Sequence, residues 1–378
     1  MQKIDINNSS NCCGCGACQY VCPSMAINLV KDGEGYLYPQ IDKDNCINCG
    51  LCFKSCAIQN DEANSKEYNN IQTYAVKHKD PVVRINSRSG GAFTALSDWI
   101  LDNGGVVYGA MLDRSDHVKH FRATNKKERD LLRGSKYVQS HTEHIYSQIK
   151  DDLKLGKKVF FTGTPCQCAS IAAVFNPKQY NNLHLCDFIC HGIPSEKLLS
   201  DYLLWIEKKY HSEIIEFDFR DKKKFNWENH IEKIILKSKT IYSRRFANLF
   251  YNNCCLRPSC YTCKYTTINR ITDFTIGDYW GIKEIAPSFY DNKGISLVII
   301  RSEKAKMIFE KIQEFIDKIE TTEYKLEHYN LYRPTEKPSK REDFWKDYFS
   351  KGFLYVSNKY GGYDILHRIK YKILDHYD

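Results

Sequence analysis

The feature that most constrains this chain is a cysteine quartet that occurs twice in its first 56 residues. Cys12, Cys15, Cys18 and Cys22 follow the spacing C-x2-C-x2-C-x3-C, with Pro23 next. Cys46, Cys49, Cys52 and Cys56 repeat it, with Ala57 at the proline position. Three thiolates spaced this closely can wrap one iron–sulfur cube, because a tight loop of small residues points each sulfur inward. Gly14, Gly16 and Ala17, and then Asn48, Gly50 and Leu51, supply most of that backbone. The fourth cysteine of each run begins a helical turn, points away and serves the other cube. One cluster is therefore expected on Cys12, Cys15, Cys18 and Cys56, and a second on Cys46, Cys49, Cys52 and Cys22.

This is the run of bacterial two-cluster ferredoxins. Zinc is the competing reading, but structural zinc prefers paired C-x2-C knuckles with a longer spacer. Cys13 falls outside the spacing and reads as a bystander thiol. The chain has 17 cysteines, and nine of them lie in this segment at metal-binding spacing, which argues against a disulfide framework. The opening MQKIDINNSS is too polar for a signal peptide, and no apolar run reaches the ~18 residues of a membrane span. Exposed thiolates and oxygen-labile clusters need reducing surroundings, so a cytoplasmic location is expected.

The 378 residues allow two or three domains. The net charge of +9 is carried by the middle of the chain, for example by Lys126, Lys127, Arg129, Arg133 and Lys136. A diffuse positive field suits an anionic cofactor or an acidic redox partner. No recognition motif supports nucleic acid.

The fold class expected is α+β, with a dicluster ferredoxin-like domain at 1–60 and then a larger mixed α/β domain. Between the quartets, Gly35–Asp42 reads as a short strand bounded by turns. The polar stretch 58–71 reads as a linker. Further strands are expected at Thr73–His78, Gly105–Leu112, Val118–Thr124, Lys158–Thr162, Leu183–Ile189 and Ile295–Ile300, with more across 214–247. Helices are expected at Gly91–Asp102, Lys126–Arg133, Glu143–Leu155, from the Gly163-Thr164-Pro165 turn to Phe175, after Ser195, and over 303–320. Domain divisions are placed at 72–175, 176–345 and a helical tail over 346–378. In that tail Ile365, Leu366, Ile369 and Ile373 form an apolar stripe expected to dock on the chain's own domain.

Eight further cysteines lie between 166 and 263. Cys166, Cys190, Cys260 and Cys263 sit at turn-like boundaries, where strand ends can converge on a metal. Cys168, Cys186, Cys254 and Cys255 read as buried small hydrophobes. Spacing alone leaves a third metal site open. Three loops carry the marks of an anion cradle: Ser89-Gly90-Gly91 before a helix, Gly134-Ser135-Lys136, and Gly163-Thr164 after a strand. No G-x-G-x-x-G fingerprint and no Walker loop is present, and no hydrolytic triad or HExxH motif. His191 can donate a proton or hold a turn.

The ordered motifs SRSGGAFTAL, RGSKYVQS, FFTGTPCQ, CDFICHGIPS, FDFRDK, LRPSCYTCKY and RITDFTIGDYWG resemble the family of coenzyme F420 hydrogenase/dehydrogenase beta subunits, from Cys12 to about Gly362. The resemblance implies a flavin-bearing iron–sulfur oxidoreductase. It implies a third 4Fe-4S cluster on Cys166, Cys190, Cys260 and Cys263. It also implies FAD in the larger domain near Ser89, Gly90, Gly91, Gly134, Ser135, Lys136, Gly163 and Thr164, with Arg220 and Asp278 beside it. Electrons would pass between the clusters and FAD and leave as hydride to an organic acceptor such as the deazaflavin. The alternative is an electron-transfer adaptor without its own substrate. The partner is then a redox protein, either a ferredoxin or part of a hydrogenase or dehydrogenase complex, or else a small molecule. Catalytic residues are not identified by the sequence.

Overall fold

The computed structural model describes residues 2–5, 8–60, 68, 70–114, 116–322 and 328–363. Much of the expected linker (61–67 and 69) and the whole apolar stripe of the tail lie outside the described residues.

The N-terminal module is built around its cysteine loops. Helices α1 (Ala17–Tyr20) and α2 (Leu51–Lys54) each follow a left-handed glycine, Gly16 or Gly50, and between them lies the hairpin β1 (Ile27–Lys31) and β2 (Leu37–Ile41). The chain continues through β3 (Gln72–His78), α3 (Pro81–Asn86), α4 (Ala92–Asp102), β4 (Val106–Arg114), β5 (His117–Ala123), α5 (Lys126–Asp130), α6 (Tyr146–Lys154), β6 (Val159–Gly163), α7 (Pro165–Val174) and β7 (Leu183–Phe188). Next come α8 (Glu196–Tyr210), β8 (Ile214–Asp218), α9 (Lys222–Phe225), β9 (Glu232–Leu236), β10 (Thr240–Ser243) and α10 (Arg245–Tyr251). The last elements are β11 (Phe274–Asp278), α11 (Ile282–Ile285), β12 (Ser296–Ile300), α12 (Glu303–Lys311), β13 (Ile316–Thr321) and α13 (Arg341–Gly361).

Eight strands form one sheet in the order β13-β3-β12-β11-β7-β6-β4-β5. Strands β4, β6, β7 and β11 run parallel, and β3 runs the same way because β12 is antiparallel to both β3 and β11. Successive residues of β6 serve opposite faces. Phe160 packs with Leu96, Ile100 and Phe309 of α4 and α12, while Val159 and Phe161 pack with Ile149, Leu153 and Ile171 of α6 and α7. Burying each of these phenylalanines contributes roughly 1.5–3 kcal/mol. A second core joins the small sheet β10-β9-β8 to α8, α10 and α13. The division expected at 175/176 falls inside the large sheet, between the hydrogen-bonded neighbours β6 and β7.

Four expectations are corrected. The helix expected over 303–320 ends at Lys311, and 316–321 form β13 on the outer edge of β3. Ala305, Ile308, Phe309 and Ile312 keep helical spacing that Ile316 continues by one more step, but pairing with the open edge of β3 takes precedence. Within 214–247, residues 222–225 and 245–251 are helical, and Asp221 caps the first of these through the Lys223 amide at 2.9 Å. The final helix begins at Arg341, ahead of the tail boundary at 346. Strands β1 and β11 have no counterpart among the strands expected from the sequence. No helix among the described residues is long and apolar enough to cross a membrane.

The two parts interlock. Gly35, with φ +90°, turns the β1–β2 hairpin so closely over α8 that a Cβ there would lie 2.7 Å from the Lys197 Cβ. Tyr36, in the same hairpin, is buried and donates its hydroxyl to the Cys255 carbonyl at 2.5 Å. Glu34 takes Arg341 of α13 in a two-pronged ion pair.

Candidate functional site

The ends of the parallel strands gather the expected loops on one edge, outside the strand carboxyl termini. Ser89–Gly91 lies against the end of β3, Gly163–Thr164 follows β6, Cys190 follows β7, and Asp278 ends β11.

The first quartet sits where the N-terminal module meets this edge. Gly14 and Gly16 take positive φ, as do Asn48 and Gly50 in the repeat. Cys12, Cys15 and Cys56 all act electrostatically on Cys18, whose thiol is pushed well up by burial and then by these three neighbours. Burial likewise pushes Cys56 up to about 11. Cys12, Cys15 and Cys18 of the first run thus share one space with Cys56 of the second, and all four line one apolar cavity. Four cysteine sulfurs around one space are soft donors that bind a metal as thiolates, so the donor set suits a metal cluster.

The large domain grips the first loop by its backbone. Thr142 Oγ1 and Tyr146 Oη donate to the Cys15 carbonyl at 2.8 and 3.0 Å. Gln139 Nε2 donates to the carbonyls of Cys13 and Gly14 at 2.9 and 3.1 Å. The buried Arg257 donates to the carbonyls of Cys12 (2.8 Å) and Leu37 (2.6 Å), and its Nη2 lies 3.6 Å from the Cys12 sulfur. An always-charged guanidinium there offsets thiolate charge.

Cys13, outside the spacing, lies beside both Cys15 and Cys166, and its thiol lowers that of Cys15 to about 6 against the upward push of burial. The Ala17 amide and the hydroxyls of Ser170 and Tyr146 add to that lowering. Cys166 is also lowered, first by Cys13 and then by the Thr164 hydroxyl 3.2 Å away. Sequence spacing could not show the neighbourhood with Cys166, which lies 153 positions away.

Cys166 opens α7, and Thr164 and Gln167 close a capping box around its first turn. Cys190, Cys260 and Cys263 stand beside it. Burial pushes Cys190 well up, followed by the effects of Cys260, Cys166 and Cys263, and it pushes Cys260 to about 12 and Cys263 to about 11. Cys168, Cys186 and Cys255 lie fully inside the cores and Cys254 nearly so. His191 has both ring nitrogens engaged, at 2.6 Å from Asn253 Oδ1 and 2.6 Å from Tyr329 Oη, which is the arrangement of a turn-holding histidine. Gly163 and Thr164 thus belong with Cys166.

The other expected cofactor residues form a second neighbourhood. Arg220 pairs with Asp278 at 2.8 Å, and its guanidinium lies 5.7 Å from the Trp280 ring, which stacks on Trp227. Arg88 pairs with Asp218 at 2.8 Å and lies 3.8 Å from a Cβ built on Gly134. Lys222 donates to the carbonyls of Arg84, Ser87 and Ser89 at 2.6, 2.9 and 2.9 Å, and burial, with Arg84 and Arg88 adding, lowers it to about 7. Lys136 donates to the carbonyls of Leu132 (3.1 Å) and Arg133 (2.7 Å), and burial lowers it to about 7 as well. Gly90 is pressed onto the sheet, where a Cβ would meet the Val76 carbonyl at 2.1 Å, and Ser89 and Ser135 flank this turn and the Gly134 turn. Arg84 Nε, Ser87 Oγ, Arg88 Nε, Trp227 Nε1 and His230 Nε2 are buried without a hydrogen-bond partner among the described residues. Orphaned donors beside concentrated positive charge fit a polar anionic group.

Two family models match separate stretches of the chain. Residues 11–60 match the 4Fe-4S dicluster domain. Residues 156–325 match the family described as the C terminus of the beta subunit in coenzyme F420 hydrogenase/dehydrogenase. The chain is 19% identical over 325 residues to the F subunit in the F(420)H(2) dehydrogenase of Methanosarcina mazei, covering 82% of this chain and 84% of that protein. It is 26% identical over 205 residues to an uncharacterised protein of Methanocaldococcus jannaschii, covering 46% of this chain and 55% of that one. A chain of the F420-reducing nickel–iron hydrogenase complex from Methanosarcina barkeri superposes with a TM-score of 0.46 at 16% identity, covering 78% of this chain and 91% of that one.

Proposed function

We propose, for a chain whose residues 156–325 belong to the family of coenzyme F420 hydrogenase/dehydrogenase beta subunits and whose residues 11–60 are a 4Fe-4S dicluster domain, that it is a flavin-dependent iron–sulfur oxidoreductase. Cys12, Cys15, Cys18 and Cys56 hold one 4Fe-4S cluster, Cys46, Cys49, Cys52 and Cys22 a second, and Cys166, Cys190, Cys260 and Cys263 a third. FAD is held by the positive neighbourhood of Ser89, Gly90, Gly91, Gly134, Ser135 and Lys136, with Arg220 and Asp278 beside it. Bound there, FAD joins one-electron carriers to two-electron hydride chemistry. The acceptor or donor is an organic molecule of the deazaflavin class, and the partner is a redox protein, as the names of the relatives suggest.

In this reading the chain's own residues position and insulate. Tyr146, Thr142, Gln139 and Arg257 fix the first cysteine loop. Cys13 closes the gap between the first quartet and Cys166. The ion pair Arg220–Asp278 holds a charged wall under Trp280.

The observation that carries the proposal is the cavity that Cys12, Cys13, Cys15, Cys18 and Cys56 line together, with Cys166 beside Cys13 and Cys190 beside Cys166. The test is anaerobic reconstitution followed by counting iron, sulfide and flavin, with reduction of the deazaflavin by a viologen donor as the assay. About twelve irons and one FAD with turnover support it. About eight irons with no flavin support the adaptor reading instead.

A further inference from the structure

We infer that His117, His141 and Glu196 form a binding site for a divalent cation of zinc-like preference, separate from every cysteine. Their ligating atoms all lie within 4.8 Å of one another. His117 Nδ1 is 3.0 Å from Glu196 Oε1, and His141 Nε2 is 3.3 Å from Glu196 Oε2. Zinc binds imidazole nitrogen and carboxylate oxygen at about 2.0–2.2 Å, so two tetrahedral donors lie about 3.4 Å apart. The observed separations need only small side-chain adjustment to meet that spacing.

The outer contacts are those of a metal-binding histidine. His141 points Nε2 into the triad and sets Nδ1 3.3 Å from Glu143 Oε1. A carboxylate behind the distal nitrogen fixes tautomer and ring orientation in such sites. The supports are rigid. His141 N donates to the Val118 carbonyl at 2.9 Å and His120 N to the His141 carbonyl at 2.8 Å, which ties His141 alongside β5 next to His117. Glu196 is held in the first turn of α8 behind the Ser195 cap. Two imidazoles and one carboxylate favour zinc and its late first-row neighbours over magnesium or calcium. Three protein ligands leave a fourth position for water.

Lys31 of the β1–β2 hairpin occupies part of this space, with Nζ 2.8 Å from Glu196 Oε2. Its side chain is 54% exposed, so it can swing into water when a cation takes the oxygen. The cation would clamp β5, the 139–143 segment and α8 together. That segment carries Gln139 and Thr142, which grip the first cysteine loop. The site therefore acts as a structural staple behind the quartet.

The test uses the full-length protein with its iron loaded anaerobically, dialysed against buffered zinc. Bound zinc and iron are measured by elemental analysis, and zinc ligation by X-ray absorption. The expected result is one zinc per chain in a nitrogen and oxygen shell, lost in His117→Ala and His141→Ala while iron is unchanged. Glu143→Gln should weaken zinc binding roughly 10–100-fold, and it decides the matter if a histidine variant fails to fold. No bound zinc, an all-sulfur shell, equal zinc in wild type and both histidine variants, or unchanged affinity in Glu143→Gln overturns the inference.

Discussion

The two cysteine quartets share one spacing and live in different surroundings. The first is gripped from outside the N-terminal module by Gln139, Thr142, Tyr146 and Arg257, and it adjoins Cys166 through Cys13. The cysteine loop of the second is held by local contacts, such as Asn48 Nδ2 to the Cys46 carbonyl at 3.4 Å and Ser55 Oγ to the Cys52 carbonyl at 3.3 Å. Beside it Ile47 and Leu51 are 63% and 41% exposed. Ligand spacing sets what can be bound, whereas the surroundings set what the bound group meets. The first quartet faces the interior of the protein and the second faces solvent, where another protein can approach.

The largest effect that tests this contrast is loss of a cluster. Cys15→Ser and Cys49→Ser should each cost about four irons in anaerobic elemental analysis. Only Cys15→Ser should also unsettle the large domain, seen as a lower melting temperature. Equal melting temperatures for the two variants would erase the contrast.

Arg257→Met comes next. It leaves the carbonyls of Cys12 and Leu37 without their donor inside a buried interface, and a loss of roughly 1–3 kcal/mol for each is expected in denaturant titrations. Cluster potentials should move in the first quartet and stay fixed in the second.

A third prediction concerns pH. Burial holds Lys222 at about 7, below its ordinary value of 10.5. A lysine depressed on folding contributes stability that is fully present above 10.5, declines as the pH falls, and is gone below about 7. An anion bound beside Lys222 raises its pKa again, so FAD binding near pH 7.5 should take up protons. Calorimetry in buffers of different ionisation enthalpy reads this directly, and the uptake should fall in Lys222→Met, with the remainder carried by Lys136.

Tyr146→Phe removes one hydroxyl that serves the Cys15 carbonyl and Ser170. A cost of about 1 kcal/mol is expected, with a shift confined to the first cluster in redox titration. Smallest of all, Leu51→Glu at the exposed second quartet should change stability by less than about 0.5 kcal/mol. It should still slow electron exchange with an external redox protein, which stopped-flow mixing can detect.

Much of this was readable from residue order alone. The crossing of Cys56 into the first quartet's space follows from the spacing, and Thr164 and Ser195 cap helices at the positions their residue types indicate. Features set by distant partners were not readable. The carbonyls of Leu132 and Arg133 that orient Lys136 within its glycine-rich loop are set by the fold, as is the burial of Arg129 against Thr94 and Ser97. Strand β13 has helix-compatible spacing and is defined only by the open edge of β3. The approach of Cys13 to Cys166, and of His117 and His141 to Glu196, joins positions far apart in the chain, which no local pattern encodes.

The tight seat of Gly35 against Lys197, with Tyr36 plugged beneath it, has a kinetic meaning. A carrier that must swing between donor and acceptor is limited by how often it arrives. Here the hairpin is bolted in place, so on the proposed reading the gap from the first quartet to Cys166 is fixed by the fold and does not vary with a moving carrier. Thickening the solvent with sucrose should then leave internal transfer untouched and slow only encounters with outside molecules.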